Sequence, residues 1–457
     1  MRRLLPLALL LALAVPLHAA ARLPVNVLPS HYALTIAPDI AAETFSGSET
    51  IDVDVRAPLE AITLHAVELS LHDVTVNGKP ATVRIDAPNE MVILDVAETV
   101  PVGHATIAIA FDGKLSQGLR GLYLSRTARR KYAVTQFEAM SARRAFPCFD
   151  EPAMKATFDV TLVVDARDTA ISNGTIVSDT SAPNGRHALR FSTTKRLPTY
   201  LLAFLVGDFE CISGSADDVP IRVCTTPGLQ HLGRFSLEAA QASIRFFDRY
   251  YGIPYPFGKL DMVGIPDFAA GAMENAGAIT YREVDLLVDE KTASVLVQKR
   301  VAEVVAHEIA HQWFGDLVTM KWWNDLWLNE GFATFMWQKA IADWKPEWQT
   351  ELDKPVWTDD ALTIDAQRST RAIRLPANTS EGGSFFESGI TYGKTASVLR
   401  MVEEWIGPET FRDAIRVYLQ RYAYANAQAE DLWSTMTEVS KRPIEPVLAS
   451  FVERPGV

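Results

Sequence analysis

The run His307-Glu308-Ile309-Ala310-His311 is an H-E-x-x-H pattern set among apolar residues of helical spacing. On a helix, residues four apart share a face, so two imidazoles converge on one ion while the carboxylate of Glu308 stands beside them. That is equipment for metal-assisted hydrolysis, because a catalytic zinc takes three protein ligands and keeps one position open for water. The third ligand has to come from elsewhere in the chain. Of nine histidines only His307 and His311 lie beyond His231, and all three cysteines lie before residue 225, so a carboxylate is the economical choice. Glu330, 19 residues after His311 and at the start of a second helical stretch, completes a His2Glu set.

The elements that must position these residues differ between the two halves of the chain. Before about residue 208 the pattern is strand-like: Ile51, Val53 and Val55 alternate with Asp52 and Asp54, and similar short runs recur between Asn, Gly, Pro and Asp. All ten tryptophans lie at or beyond Trp313, and helical spacing governs residues 236–250, 294–314, 330–343 and 395–405. Gly315 is placed to end the helix that carries the two histidines. The expected fold class is multi-domain α+β, with an all-β domain over residues 22–208 and a mainly helical catalytic domain over 209–457. No internal repeat is present.

Composition excludes some functions. The 457 residues are 48% hydrophobic and 22% charged, enough apolar material for two cores. A net charge of -12, with no extended run of Lys or Arg, offers nothing to a phosphate backbone, so nucleic acid is not an expected partner. Arg2 and Arg3 precede an apolar run over 4–17, followed by Ala19, Ala20 and Ala21, the signature of an export signal over 1–21. The run is shorter than the roughly 20 residues that span a bilayer. The expectation is an exported protein, periplasmic or secreted, with no stable membrane insertion after cleavage. Cys211 and Cys224 flank the turn-like stretch 213–220, where a disulfide and a pair of buried thiols stand equally.

Gly271-Ala272-Met273-Glu274-Asn275, followed by the H-E-x-x-H run and by Glu330, resembles the M1 family of zinc aminopeptidases, gluzincins that carry a GAMEN motif. The resemblance extends to Thr135-Gln136-Phe137-Glu138, to the run from Ala145 through Pro147, Cys148 and Asp150 to Pro152, to Trp327-Leu328-Asn329-Glu330-Gly331-Phe332-Ala333 and to Ile390-Thr391-Tyr392-Gly393-Lys394. It implies an N-terminal saddle-like β domain packed on a thermolysin-like zinc peptidase domain, with the site in the groove between them. It also implies one Zn2+ per chain, held by His307, His311 and Glu330, and hydrolysis of the N-terminal bond of peptides with a free N-terminus. In that scheme Glu308 is the general base toward a zinc-bound water and Tyr392 donates its hydroxyl to the oxyanion. Glu274 and Glu138 hold the substrate ammonium. Gly271, Ala272 and Met273 belong to the same substrate-binding run, whose main chain pairs with the substrate as an edge strand does.

Two departures from the family pattern stand out. Thr395 occupies the place after Lys394 where the family usually reads Tyr-x-Lys-Gly-Ala, and is expected to shift the local backbone and with it the Tyr392 hydroxyl. Larger members continue into a small β domain and a helical C-terminal domain, whereas this sequence stops at Val457; a natural two-domain enzyme and a fragment of a longer one are both open. Epoxide-hydrolysing relatives typically read Gly-Gly-Met-Glu-Asn, which Ala272 disfavours, and a pure peptide binder would need neither Glu308 nor Tyr392.

Overall fold

The computed structural model describes residues 22–376, 386 and 388–456; the expected export signal over 1–21 lies outside the described residues. The N-terminal half is built of strands joined by short turns. Strand Val27–Asp39 turns Tyr32, Leu34 and Ile36 inward, pairs antiparallel with Thr44–Val55 and parallel with Thr157–Asp165, and forms the middle of a ten-stranded sheet. The alternation read at 51–55 sets its faces: Ile51, Val53 and Val55 are buried, while Asp52 and Asp54 point away from the core. A second sheet of four strands joins Thr169–Ser172, Phe204–Gly207, Lys131–Gln136 and Gly121–Arg126 in that order.

The second half opens with a five-stranded sheet, ordered Glu210–Ala216, Val219–Thr225, Leu260–Ile265, Ala278–Arg282 and, at one edge, Ala272–Met273. Cys211 and Cys224 face each other across the first hairpin and form a disulfide, while Cys148 is a buried free thiol. Among the described residues eight helices complete the half: α1 Arg234–Tyr251, α2 Val295–His311, α3 Trp327–Trp344, α4 Lys354–Asp365, α5 Thr395–Ile406, α6 Pro408–Arg421, α7 Ala429–Ser440 and α8 Ile444–Val452. A strand-built N-terminal half followed by a mainly helical half is the architecture expected from the sequence. No described helix is long and apolar enough to cross a membrane.

Local chemistry explains where the helices differ from expectation. Ser294 caps α2 by accepting the Val297 N–H at 3.3 Å. The helix then stops at His311, four residues short of Gly315, because the N–H groups of Gln312 and Trp313 take the tighter three-residue spacing to Ile309 and Ala310. Helix α3 is apolar nearly all round and is buried accordingly between α2 and α5. Helix α5 opens at Thr395, where the helical spacing over 395–405 begins, and a π-helical segment, Ser388–Lys394, runs into it.

Two apolar cores result. The first fills the β half and also takes in Met273, Ala276, Met320, Trp322, Trp323 and Leu326 from the helical half; the second surrounds α1 to α3 and α5 to α8. The two halves are thus joined by residues that neighbour Glu274 and Glu330 in sequence.

Candidate active site

Helix α2 presents His307, Glu308 and His311, and the first turn of α3 presents Glu330. The Oε2 atom of Glu330 lies 3.2 Å from His307 Nε2 and 3.2 Å from His311 Nε2, and the two Nε2 atoms are 3.0 Å apart. The Nδ1 of His311 donates to the Phe314 carbonyl at 2.9 Å, which leaves its Nε2 as a lone-pair donor. Ligand atoms at about 2.0 to 2.1 Å from a tetrahedral ion sit about 3.3 Å from one another, so the triangle has the scale of a zinc site. Two imidazoles and a carboxylate are also a donor set that suits zinc. Glu308 stands outside the triangle, buried, with Oε2 unpartnered.

Burial and neighbouring charge set the protonation of this cluster. Burial pushes the Glu308 carboxyl well above its ordinary range and pushes His307 below its own. Burial also opposes a charge on His311, but Glu274, Glu330 and Glu308 outweigh it and raise its pKa well above the usual value. Glu330 shows the converse: burial would raise it, yet His311 and His307 bring it down to about 2. Glu330 thus stays ionised where the imidazole nitrogens meet, which is what a cation requires.

A second group adjoins the first. Glu138 follows the strand Lys131–Gln136 of the β half, Glu274 follows the edge strand Ala272–Met273, and one oxygen of each lies within 4.8 Å of the other and of a Glu330 oxygen. The Oε1 atoms of Glu138 and Glu274 have no partner. Burial raises Glu138 well above the carboxylate range and brings Glu274 to about 7. Tyr392 closes the other side, its ring 6.0 Å from that of His307. Burial, then Glu330, raise its pKa far enough to keep it an O–H donor. These residues, with Gly271 and Ala272, line a cleft of about 870 Å³. Met273 does not: strand alternation sends its side chain into the core shared with the β half, and the whole residue is 1% exposed.

The two motifs occur in this geometry within a recognised pair of domains. Residues 235–451 match the peptidase family M1 domain, and residues 28–201 match the peptidase M1 N-terminal domain. The chain belongs to peptidase family M1. This M1 chain is 40% identical over 454 residues to Aminopeptidase M1-D of Oryza sativa subsp. japonica, an alignment covering 97% of the chain and 52% of that relative. It is 40% identical over 447 residues to Aminopeptidase 2 of Candida albicans, covering 95% of the chain and 48% of the relative. It is 38% identical over 452 residues to the alanine/arginine aminopeptidase of Saccharomyces cerevisiae, covering 95% and 52%. The chain spans about half the length of the curated relatives it matches.

Two features of this M1 chain escaped the motif reading. Gln312, directly after His311, donates to the Glu274 carbonyl at 3.0 Å and accepts from Gly277 N at 3.0 Å and Tyr255 Oη at 2.9 Å. It ties the loop carrying Glu274 to the end of α2, and its adjacency to a ligand was the only available sign of that. The second is the seat of Thr395. A Cβ on Gly331 would lie 2.0 Å from Thr395 Cγ2, so the threonine fills the space left by the glycine after Glu330. Its Oγ1 donates to the Ile390 carbonyl at 3.3 Å, five residues back, which supports the π-helical turn.

Proposed function

We propose that this chain is a zinc-dependent aminopeptidase that removes the first residue from peptides with a free N-terminus. The observation that carries the proposal is the pair of carboxyls Glu138 and Glu274, each with its Oε1 unpartnered, set against Glu330 of the ligand triangle. An ammonium held there leaves only the first peptide bond of a substrate within reach of the triangle. The aminopeptidase names of the relatives support the same reading.

When held by His307, His311 and Glu330, zinc supplies Lewis acidity toward a carbonyl and toward water. Glu308 takes a proton from the water whose oxygen bonds the scissile carbon, and delivers it to the amine nitrogen as the C–N bond breaks. Its burial keeps its basicity high enough for both transfers. Tyr392 donates its hydroxyl to the carbonyl oxygen as that oxygen gains charge. The edge strand at Ala272 holds the substrate backbone by main-chain hydrogen bonds. We also assign the protein to an exported compartment; the basic and apolar segment over 1–17 and the Cys211–Cys224 disulfide support this.

The test compares a short peptide with its N-acetylated twin, before and after zinc is stripped and restored. Cleavage of the free-amine peptide alone, lost with the metal and recovered with zinc, is the expected result. Equal cleavage of the acetylated twin would refute the ammonium clamp, and no cleavage by a folded, zinc-loaded chain would refute the catalytic assignment.

A further inference from the structure

The turn that follows α2 carries four successive carbonyls, and each one is held. The Phe314 carbonyl accepts from His311 Nδ1 at 2.9 Å. The Gly315 carbonyl accepts from Thr319 Oγ1 and, at 3.5 Å, from Tyr200 Oη. Lys155 Nζ donates to the Asp316 carbonyl at 3.0 Å and to the Leu317 carbonyl at 3.4 Å. Gly315 has φ +133°, and a Cβ there would lie 3.3 Å from His311 Nδ1 and 3.3 Å from Asn329 Nδ2. The turn is therefore wedged between the ring of one metal ligand and the residue that precedes another, Glu330.

Tyr200 and Lys155 do not belong to the catalytic half. Both lie within residues 28–201, the stretch matched to the N-terminal domain, and both are almost fully buried, at 1% and 2% exposure. The Tyr200 ring packs edge-on against Trp323 at 5.2 Å, and its hydroxyl accepts from Asn329 Nδ2 at 3.3 Å while donating to Gly315. One phenol oxygen thus links the exit of α2 to the start of α3, the two helices that supply the ligands. Burying the Lys155 amine is costly, and the two carbonyls of the turn are its only described side-chain hydrogen-bond acceptors.

We infer that Tyr200 and Lys155 are positioning residues for the metal centre, by which the β half fixes His311 and Glu330 at the separation zinc requires. The inference rests on the zinc-site reading above. Loss of a residue hydrogen-bonded to a metal ligand typically costs on the order of 10- to 100-fold in metal affinity; Tyr200 and Lys155 act one bond further out, through Gly315 and Asn329 and through the Asp316 and Leu317 carbonyls, so the lower end applies. Tyr200→Phe keeps the ring on Trp323 and deletes only the hydroxyl; Lys155→Met deletes the amine, and Lys155→Arg returns a donor.

The test uses the full chain: zinc affinity by competition with a chelator, the visible spectrum of the cobalt(II) form, and the melting midpoint without metal. Tyr200→Phe is expected to bind zinc on the order of 10-fold more weakly and to shift the cobalt spectrum, with a metal-free midpoint close to that of the parent. Lys155→Met is expected to weaken zinc binding as well, with partial recovery in Lys155→Arg. Parental zinc affinity and an unchanged cobalt spectrum in Tyr200→Phe would overturn the inference, whether or not Lys155→Met folds. A parent chain that takes up no zinc would overturn the metal-site reading and the inference together, and that failure shows in the parent's own titration.

Discussion

The contact between Gly331 and Thr395 sets up a sharp test of how α3 and α5 are held together beside Glu330. In Gly331→Ala the new Cβ would sit 2.0 Å from Thr395 Cγ2 and 2.6 Å from Thr395 Cβ. Carbon atoms in contact rest about 3.5 Å apart, so the helices or the threonine must yield by roughly 1.5 Å. The threonine is 1% exposed and bonded to the Ile390 carbonyl, and cannot simply rotate away. Overpacking of this kind costs about 2 to 3 kcal/mol, or a melting midpoint lower by about 4 to 12 °C for a domain of this size. Thr395→Gly alone costs about 1 to 2 kcal/mol, from a lost side chain and a flexible backbone. If the clash is the whole effect, the double variant is no less stable than Thr395→Gly, a coupling of about 2 kcal/mol. Calorimetry on the metal-free forms of all four proteins measures this. Additivity within about 0.5 kcal/mol would show that the two residues do not constrain each other and refute the packing argument.

Other expectations are as direct. Glu308→Gln retains its zinc but loses about 100- to 10,000-fold in kcat, and Tyr392→Phe about 100- to 1,000-fold, measured by steady-state kinetics alongside metal content. Gln312→Ala strands the Glu274 carbonyl, Gly277 N–H and Tyr255 hydroxyl, and is expected to lower kcat/KM for free-amine peptides by about 10-fold or more with zinc content unchanged. Glu49 lies in the β-half core with both carboxyl oxygens unpartnered, and burial raises its pKa well above 4.5. The native state therefore keeps a proton that the unfolded chain gives up above pH of about 4.5, so this contribution to stability is complete below that pH and is lost as pH rises through the folded value. Glu49→Gln is expected to melt higher than the parent at pH 8 and to flatten the fall between pH 5 and 8; parallel melting curves across pH would count against it.

How much of this was legible in the sequence depends on the distance over which each feature is encoded. The His307, Glu308 and His311 cluster was readable because one helix turn holds it, and Glu330 because two short helical patterns fix its spacing. The strand faces at Ile51, Val53 and Val55 followed from a period of two. Gln312 was not readable as a tether: its bonds reach 38, 35 and 57 residues away, and no periodic pattern spans that. Tyr200 is harder still, with partners 115 and 129 residues on. Met273 was grouped with its neighbours because a motif is read as a unit, whereas the pleat turns successive side chains to opposite faces. The π-helical turn before α5 was not readable because its seven residues, with Gly389 and Gly393 among them, are too few to set up a period of their own.

The edge strand at Ala272–Met273 is two residues long and ends its sheet. A ledge that short grips main chain and ignores side chains, so in the proposed reaction it works as a stop gauge. The peptide advances until its amine meets Glu138 and Glu274, is cut one residue in, and the shortened peptide presents a new amine to the same gauge. Successive trimming then needs no recognition beyond a terminus and a stretch of backbone, and differences in rate between sequences are left to the walls of the cleft.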